Sequence, residues 1–190
     1  WPGVTVEKKV GQYKHLEKTF QVVDLPGTYS LDVVDESVAL DEKVTRDYIL
    51  SSDADLIINI IDASNIERNL YLTTQLLEMG KPLVVLLNMM DVAKQNNTII
   101  DVKELSTLLG CPVIPFSANR AKNIAEVKSQ LAEIIKHPSA RLDFQLEFEE
   151  PFKSVFEALT ELLSDYSEEK QLRSKWLALR VLEDKSIQLP

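Results

Sequence analysis

Runs of apolar residues alternate with helical periodicities along the chain up to residue 137. Runs rich in β-branched residues and leucine predict strands at residues 19–23, 55–61, 83–87 and 113–116. Apolar residues at helical spacing predict helices at residues 41–50, 66–79, 102–109 and 124–136, the third capped by Asp101. The stretch 4–13 pairs with 19–23 as a hairpin, in which Gly11 is a candidate β-bulge. Strands that alternate with helices indicate an α/β fold with a doubly wound, mostly parallel sheet.

The pattern changes after residue 137, because no β-branched run returns. Apolar residues form one helical stripe from Phe152 to Tyr166, and a second stripe begins at Leu172. Pro151 suits the first turn of a helix. These stripes predict a small all-helical domain, so we divide the chain into an α/β domain at 1–142 and a helical domain at 143–190.

A turn of the form D-x-x-G follows the strand at 19–23. Its residues are Asp24, Leu25, Pro26 and Gly27. They lie at the carboxyl end of a strand, which is the edge where open α/β sheets bind ligands. A carboxylate at this position holds the water shell of Mg²⁺, and a glycine lets its N–H approach a terminal phosphate without a Cβ clash.

A second turn, of the form N-x-x-D, follows the strand at 83–87. Its residues are Asn88, Met89, Met90 and Asp91. Guanine presents N1–H and N2–H₂ donors side by side, so the Asp91 carboxylate accepts from both, whereas adenine offers no such pair. Asn88 ties the loop together and reaches the N7/O6 edge of the base. A third segment follows the last predicted strand and comprises Ser117, Ala118 and Asn119, with the Ala118 N–H as a donor to guanine O6.

Each of these segments also has an ordinary structural explanation. Asp and Gly favour turns and proline fixes φ, so D-x-x-G is common. Asn and Asp cap helices that follow strands, and Ser-Ala-Asn alone is uninformative. The three segments occur in order, each after a predicted strand, and this conjunction favours a guanine-nucleotide site.

The chain resembles the G domain of the bacterial ferrous iron transport protein B family, FeoB. The resemblance rests on WPGVTVEKK (1–9), DLPGTYSL (24–31), NIERNLYL (65–72), NMMD (88–91) and LGCPVIP (109–115). Ordinary small GTPases carry Lys at the second position of N-x-x-D, whereas FeoB-like domains commonly carry Met, as here at Met89. The resemblance covers residues 1 to about 137 and implies a P-loop-GTPase-like fold.

The resemblance also implies roles for individual residues. The first switch of the GTPase corresponds to Gly3, Val4, Thr5, Val6 and Glu7. Thr5 meets Mg²⁺ and the γ-phosphate, Asp24 joins it at the metal, and Thr5 and Gly27 are the candidate catalytic residues. The implied cofactors are GTP or GDP and Mg²⁺. Judged by its neighbours alone, Thr5 is a β-branched strand residue, so its role rests on the resemblance.

Two departures from the family pattern stand out. No G-x-x-x-x-G-K-[ST] phosphate loop occurs in the 190 residues, so we expect the first strand and phosphate loop of the fold to precede Trp1 in the parent protein. That strand is central in the family's sheet, and its absence should expose the apolar flanks of its neighbours. Thr28 stands where Ras-like enzymes carry the Gln that orients the attacking water, which leaves the water-positioning group unassigned.

Charge and cysteine content exclude several classes of function. A formal net charge of −9 argues against nucleic acid as a partner, because phosphate-backbone binding is electrostatic. A single cysteine, Cys111, excludes an intrachain disulfide framework, and its apolar setting favours a core position. No apolar run is long enough to span a membrane.

The resemblance implies a membrane-embedded transporter region of the same polypeptide beyond Pro190. It thereby places the domain at the cytoplasmic face of the bacterial inner membrane, as a GTP-hydrolysing regulator of Fe²⁺ transport. A homo-oligomer stays open. So do two alternatives: a GTPase of the translation or tRNA-modification type, whose RNA-binding module would be basic, and an interaction module that binds no nucleotide.

Overall fold

The computed structural model describes residues 9–31, 40–51, 54–116, 122–137, 148–169 and 173–183. The chain opens with an antiparallel hairpin of β1 (Lys9–His15) and β2 (Lys18–Asp24). Leu16 and Glu17 form its two-residue turn, both with positive φ, which matches the twist of the flanking strands. Gly11 pairs with Val22 in an unbroken register. The expected bulge at Gly11 is therefore wrong, because a two-residue turn of this kind keeps the ladder regular without an extra residue.

The α/β part follows the predicted alternation of strands and helices. Its elements are α1 (Leu40–Ser51), β3 (Ile57–Asp62), α2 (Ile66–Glu78), β4 (Leu83–Asn88), α3 (Met90–Gln95), α4 (Val102–Leu109), β5 (Val113–Pro115) and α5 (Lys122–Lys136). Strands β3, β4 and β5 form a parallel sheet in that order. Asp101 caps α4 by accepting from the N–H groups of Lys103 and Glu104, as expected. The predicted α/β class with a parallel sheet is confirmed.

Strand β4 forms the centre of two hydrophobic clusters, one on each face of the sheet. Leu83, Val85 and Leu87 point to one face, where residues of α2 and α4 cover them. Val84 and Leu86 point to the other face, where α5 covers them. Because successive side chains alternate across a strand, five consecutive buried residues require helices on both faces.

The edge strand β3 is less well covered. Ile61 is buried on the α2 face, whereas Ile58 and Ile60 are 39% and 59% exposed. The hairpin forms a sheet of its own and does not pair with β3 among the described residues.

The described residues after α5 include α6 (Phe152–Leu162), α7 (Ser164–Glu169) and α8 (Ser174–Glu183). The single stripe expected from Phe152 to Tyr166 is thus divided into two helices at Leu163. Trp176 and Leu177 of α8 join the core cluster of the α/β part, while the next residues of α8 pack on α6. No helix in the described ranges is both long and apolar enough to cross a bilayer.

Candidate functional site

The D-x-x-G turn follows β2, and buried side chains hold the segment that runs from Pro26 of this turn to Leu31 at both of its ends. The Thr45 hydroxyl of α1 donates to the Pro26 carbonyl at 2.9 Å. The Leu31 N–H donates to the Gln75 Oε1 of α2 at 2.7 Å. Thr45 and Gln75 are only 5% and 4% exposed, so both hydrogen bonds are shielded from water. The turn therefore keeps a defined path between two helices.

Between these two anchors the chain runs along the first turns of α2. The Arg68 guanidinium lies 4.0 Å from the centroid of the Tyr29 ring, which is cation–π geometry. Thr28 closes a local turn with Ser30 through its hydroxyl. Thr28 stands at the position where Ras-like enzymes carry a catalytic Gln, and its hydroxyl is engaged in hydrogen bonds with the backbone of Ser30.

Packing does not explain the glycine of this turn. Gly27 is exposed, and a Cβ added to it would meet no described heavy atom within 4 Å. Its φ lies outside the left-handed range that favours glycine. Open space beside a glycine N–H suits the close approach of a ligand.

The N-x-x-D turn continues β4 into α3. Asn88 ends the strand, and Met89 adopts φ 60° and ψ 29°, a left-handed conformation that is costly for a non-glycine residue. This left-handed residue turns the chain so that Met90 begins α3 and Asp91 lies exposed in its first turn. Such strain is typical of sites whose geometry serves a ligand.

Asp91 borders a cleft of ≈ 800 Å³ between α3, β5 and α5. The cleft is also lined by Met90, Lys94, Phe116 and Val127. An apolar wall with a few polar groups is the usual composition of a small-molecule site, and this volume lies within the usual range. The arrangement allows a flat aromatic base to lie against apolar side chains while a carboxylate accepts from its edge.

Both turns are attached to the same core, although they follow strands of different sheets. Leu25 of the first turn and Met90 of the second pack against the hydrophobic cluster around β4 and α2. The remaining predicted site residues lie outside the described part of the chain. They are Gly3, Val4, Thr5, Val6, Glu7, Ser117, Ala118 and Asn119.

One carboxylate at this edge was missed by sequence reasoning. Asp62 ends β3 and pairs in register with Asn88, so it lies beside the second turn. Its side chain accepts from the N–H and the hydroxyl of Ser64, at 2.8 and 2.7 Å, and caps the short 3₁₀ turn before α2. The Asp-Ala-Ser spacing after a strand was the available signal. These bonds make Asp62 a capping residue.

Magnesium fits the charge pattern at the first turn. Mg²⁺ bound with nucleotides takes one or two carboxylates and leaves its other positions to phosphates and water. Asp24 supplies one exposed carboxylate at the end of β2. Within the described residues, no group of three or more His, Cys, Asp or Glu side chains is arranged to hold a metal on its own. A metal shared with a nucleotide agrees with both observations.

A second cavity, of ≈ 520 Å³, lies at the opposite edge of the sheet, at the amino ends of β3, β4 and β5. Cys111 forms part of its lining and is 4% exposed, and burial raises the pKa of its thiol to about 11. The expected core position of Cys111 is confirmed, and such a thiol is inert. This cavity lies at the edge opposite to the one where parallel sheets bind ligands.

Comparison with known proteins gives a consistent family. A family model described as "Ferrous iron transport protein B" matches residues 1–131. The Fe(2+) transporter FeoB of Escherichia coli (strain K12) is 43% identical over 183 residues, which make up 96% of this chain and 23% of that protein. The chain thus spans less than a quarter of the length of this relative.

Two solved structures extend the match to the fold. The cytosolic domain of L. pneumophila FeoB is 38% identical with a TM-score of 0.81, covering 98% of this chain and 78% of that chain. The cytosolic domain of the T. maritima FeoB iron transporter in a GDP form is 33% identical with a TM-score of 0.83, covering 100% and 76% respectively. Both matches include the C-terminal helices.

Proposed function

Because the chain belongs to the ferrous iron transport protein B family, FeoB, we propose that it binds and hydrolyses GTP as the regulatory G domain of a bacterial Fe²⁺ transporter. The E. coli relative is a Fe(2+) transporter, which supports the transported ion, and the T. maritima relative in a GDP form supports the nucleotide. In this proposal the partner is the membrane-embedded part of the transporter, and the domain lies at the cytoplasmic face of the inner membrane.

The observation that carries the proposal is the turn from Asn88 to Asp91 at the end of a buried parallel strand. The left-handed Met89 directs the chain into α3 so that Asp91 borders a cleft with apolar walls. Asp91 there accepts from guanine N1–H and N2–H₂, and adenine leaves this carboxylate without donors. Ser117, Ala118 and Asn119 complete the base site in the proposal.

The phosphate end of the nucleotide belongs to the first turn. The Gly27 N–H donates to the γ-phosphate, and Asp24 with Thr5 holds the ion if Mg²⁺ is bound. Mg²⁺ neutralises charge that develops on the phosphate oxygens. In hydrolysis a water oxygen forms a bond to the γ-phosphorus, the bond from that phosphorus to the β–γ bridging oxygen breaks, and GDP and phosphate leave. We expect hydrolysis to be slow, because Thr28 stands where Ras-like enzymes carry the water-orienting Gln and its hydroxyl is engaged with Ser30.

The family match decides against a translation or tRNA-modification GTPase. The formal net charge of −9 agrees with this exclusion, since an attached RNA-binding module would be basic. The interaction module without nucleotide is left to the binding experiment below, because its distinguishing property is the absence of nucleotide affinity.

The proposal is tested by titrating the full-length protein that contains this chain with a fluorescent GDP analogue, in the wild type and in Asp91→Asn. The variant should lose about 2–4 kcal/mol of guanine-nucleotide binding and gain affinity for xanthosine nucleotides, whose C2 carbonyl accepts from the new amide. Unchanged guanine affinity in Asp91→Asn contradicts the assignment of the base site.

A matched control is Asp101→Asn. Asp101 is also an exposed carboxylate at the start of a helix, and an Asn at this position still caps α4. It lies outside the cleft that Asp91 borders. Its substitution should leave guanine and xanthosine affinities as in the wild type, and a loss equal to that of Asp91→Asn means that general charge produces the effect.

A further inference from the structure

Thr45 makes an unusual hydrogen bond for a threonine within a helix. Helical Ser and Thr hydroxyls commonly donate to a carbonyl three or four residues earlier in their own helix. Thr107 and Thr160 do so, with Lys103 and Phe156 as acceptors. Thr45 instead donates to Pro26, 19 residues earlier and in the D-x-x-G turn. At 5% exposure this hydroxyl has little access to water as an alternative partner.

The Pro26 carbonyl matters as an acceptor because it shares a peptide unit with the Gly27 N–H. The carbonyl of Pro26 and the N–H of Gly27 belong to one planar trans peptide, so the two groups point in opposite directions. A hydrogen bond that holds the Pro26 carbonyl towards α1 therefore holds the Gly27 N–H away from α1. Gly27 adds no side chain that could restrain this plane, and the space beside it is open.

We propose that Thr45 is a positioning residue, whose hydroxyl holds the Pro26–Gly27 peptide plane so that the Gly27 N–H is aimed at the terminal phosphate of a nucleoside triphosphate. The proposal rests on the proposed function. It deepens that function by naming the group that orients the γ-phosphate donor.

The buried setting makes the alternative orientation unfavourable. Thr45 is buried, so a rotated peptide would take the Pro26 carbonyl away from a hydroxyl that has little access to water, and would turn the Gly27 N–H towards α1. The Gln75 side chain holds Leu31 at the far end of the same segment, which limits how far the turn can shift as a whole. With the ends held, rotation of the single peptide plane is the motion that Thr45 restrains.

The test uses the full-length protein and compares Thr45→Val with Thr45→Ser. Valine keeps the shape and removes the donor, whereas serine keeps the donor. We expect Thr45→Val to weaken the binding of a non-hydrolysable GTP analogue by roughly three- to tenfold, the effect of one ordinary hydrogen bond, and to leave GDP affinity within about twofold. Thr45→Ser should behave as the wild type, and so should Thr107→Val, which removes a hydroxyl bonded inside its own helix.

Three results would overturn the proposal. Unchanged affinities for both the GTP analogue and GDP in Thr45→Val show that the hydroxyl does not orient the donor. Equal loss of both affinities shows a structural role only. A Thr45→Ser variant that loses GTP-analogue affinity as Thr45→Val does shows that the methyl group, not the hydroxyl, is responsible.

Failure of the proposed function itself has a different signature, because the wild-type protein would then bind neither nucleotide. If Thr45→Val does not fold, as judged by circular dichroism, Thr45→Ala removes the same hydroxyl with less bulk in the core. The expected split between the two affinities is unchanged for that variant, and its absence overturns the proposal equally.

Discussion

Arg180 of α8 forms ion pairs with two carboxylates that differ in exposure. Its Nη2 lies 3.3 Å from Glu78 Oε2 of α2 and 2.6 Å from Glu183 Oε2 of its own helix. The side chains of Arg180 and Glu78 are 11% and 13% exposed, whereas that of Glu183 is 54% exposed. The longer contact is therefore the buried one, and it joins the C-terminal helices to the α/β part.

The contribution of each ion pair to stability should follow its burial and not its distance. The buried pair with Glu78 should therefore contribute more than the exposed pair with Glu183. A pair with an exposed partner contributes about 0.2–1 kcal/mol, because water and salt screen it. Removing one partner of a buried pair costs about 3–5 kcal/mol, since the other charge stays desolvated. Arg180 keeps Glu183 when Glu78 is replaced, so we expect about 2–3 kcal/mol for Glu78→Gln and at most about 1 kcal/mol for Glu183→Gln.

The assay is urea unfolding of the chain, with the wild type, both single variants, Arg180→Gln and the double variant Glu78→Gln/Arg180→Gln. The double-variant cycle isolates the pair from other effects of each substitution. Added salt should reduce the cost of Glu183→Gln and leave that of Glu78→Gln largely unchanged. A Glu183→Gln variant that loses as much stability as Glu78→Gln would refute the argument that burial decides.

Three further predictions concern the core, the thiol and the first switch. Leu87→Ala, fully buried in β4, should cost about 2–5 kcal/mol of unfolding free energy, whereas Ile60→Ala, 59% exposed in β3, should cost under about 1 kcal/mol; equal costs in urea unfolding would contradict the two-faced core. With a pKa of about 11 against the ordinary 9.0, the Cys111 thiol should be about 100-fold less ionised at pH 8 in the folded chain, so Ellman's reagent should label it at least that much more slowly than in urea. Similar labelling rates in the folded chain and in urea would count against the burial of Cys111. Because its thiol has the higher pKa in the folded chain, the stability that Cys111 contributes is complete below pH 9 and is lost as pH rises through about 11. In the full-length protein, Thr5→Ala should spare GDP binding and slow GTP hydrolysis, and an equal loss of GDP and GTP affinity would make Thr5 structural.

Local signals predicted those parts of the fold that depend on neighbouring residues. The N-cap at Asp101 was readable because its acceptor and donors lie within three residues. Gly80 and Gly110, both with positive φ, end helices where the periodicity stops. The five-residue run before Asn88 indicated a strand buried on both faces. The positions of the D-x-x-G and N-x-x-D turns followed from the predicted ends of the strands before them.

Other features could not be predicted from the sequence, because they depend on contacts between residues that are far apart along the chain. The break between α6 and α7 interrupts a stripe whose periodicity continues, and both helices pack against α8, which comes later in the chain. Arg68 over Tyr29 and Arg180 beside Glu78 join segments that many alternative folds would separate. No pattern within either segment predicts which distant residue it contacts.

The α/β class, the order of its elements and the residue types at the carboxyl edge of the sheet could be predicted from the order of the amino acids. Hydrophobic periodicity and helix capping depend on residues only a few positions apart, so a short stretch of sequence is enough to predict them. The packed fold was needed to show that Thr45 and Gln75 hold the chain at Pro26 and Leu31, that Asp62 is a capping residue, and that Asp91 borders a cleft. A buried polar group bonds whichever partner packing brings within about 3 Å, and packing is a property of the whole fold.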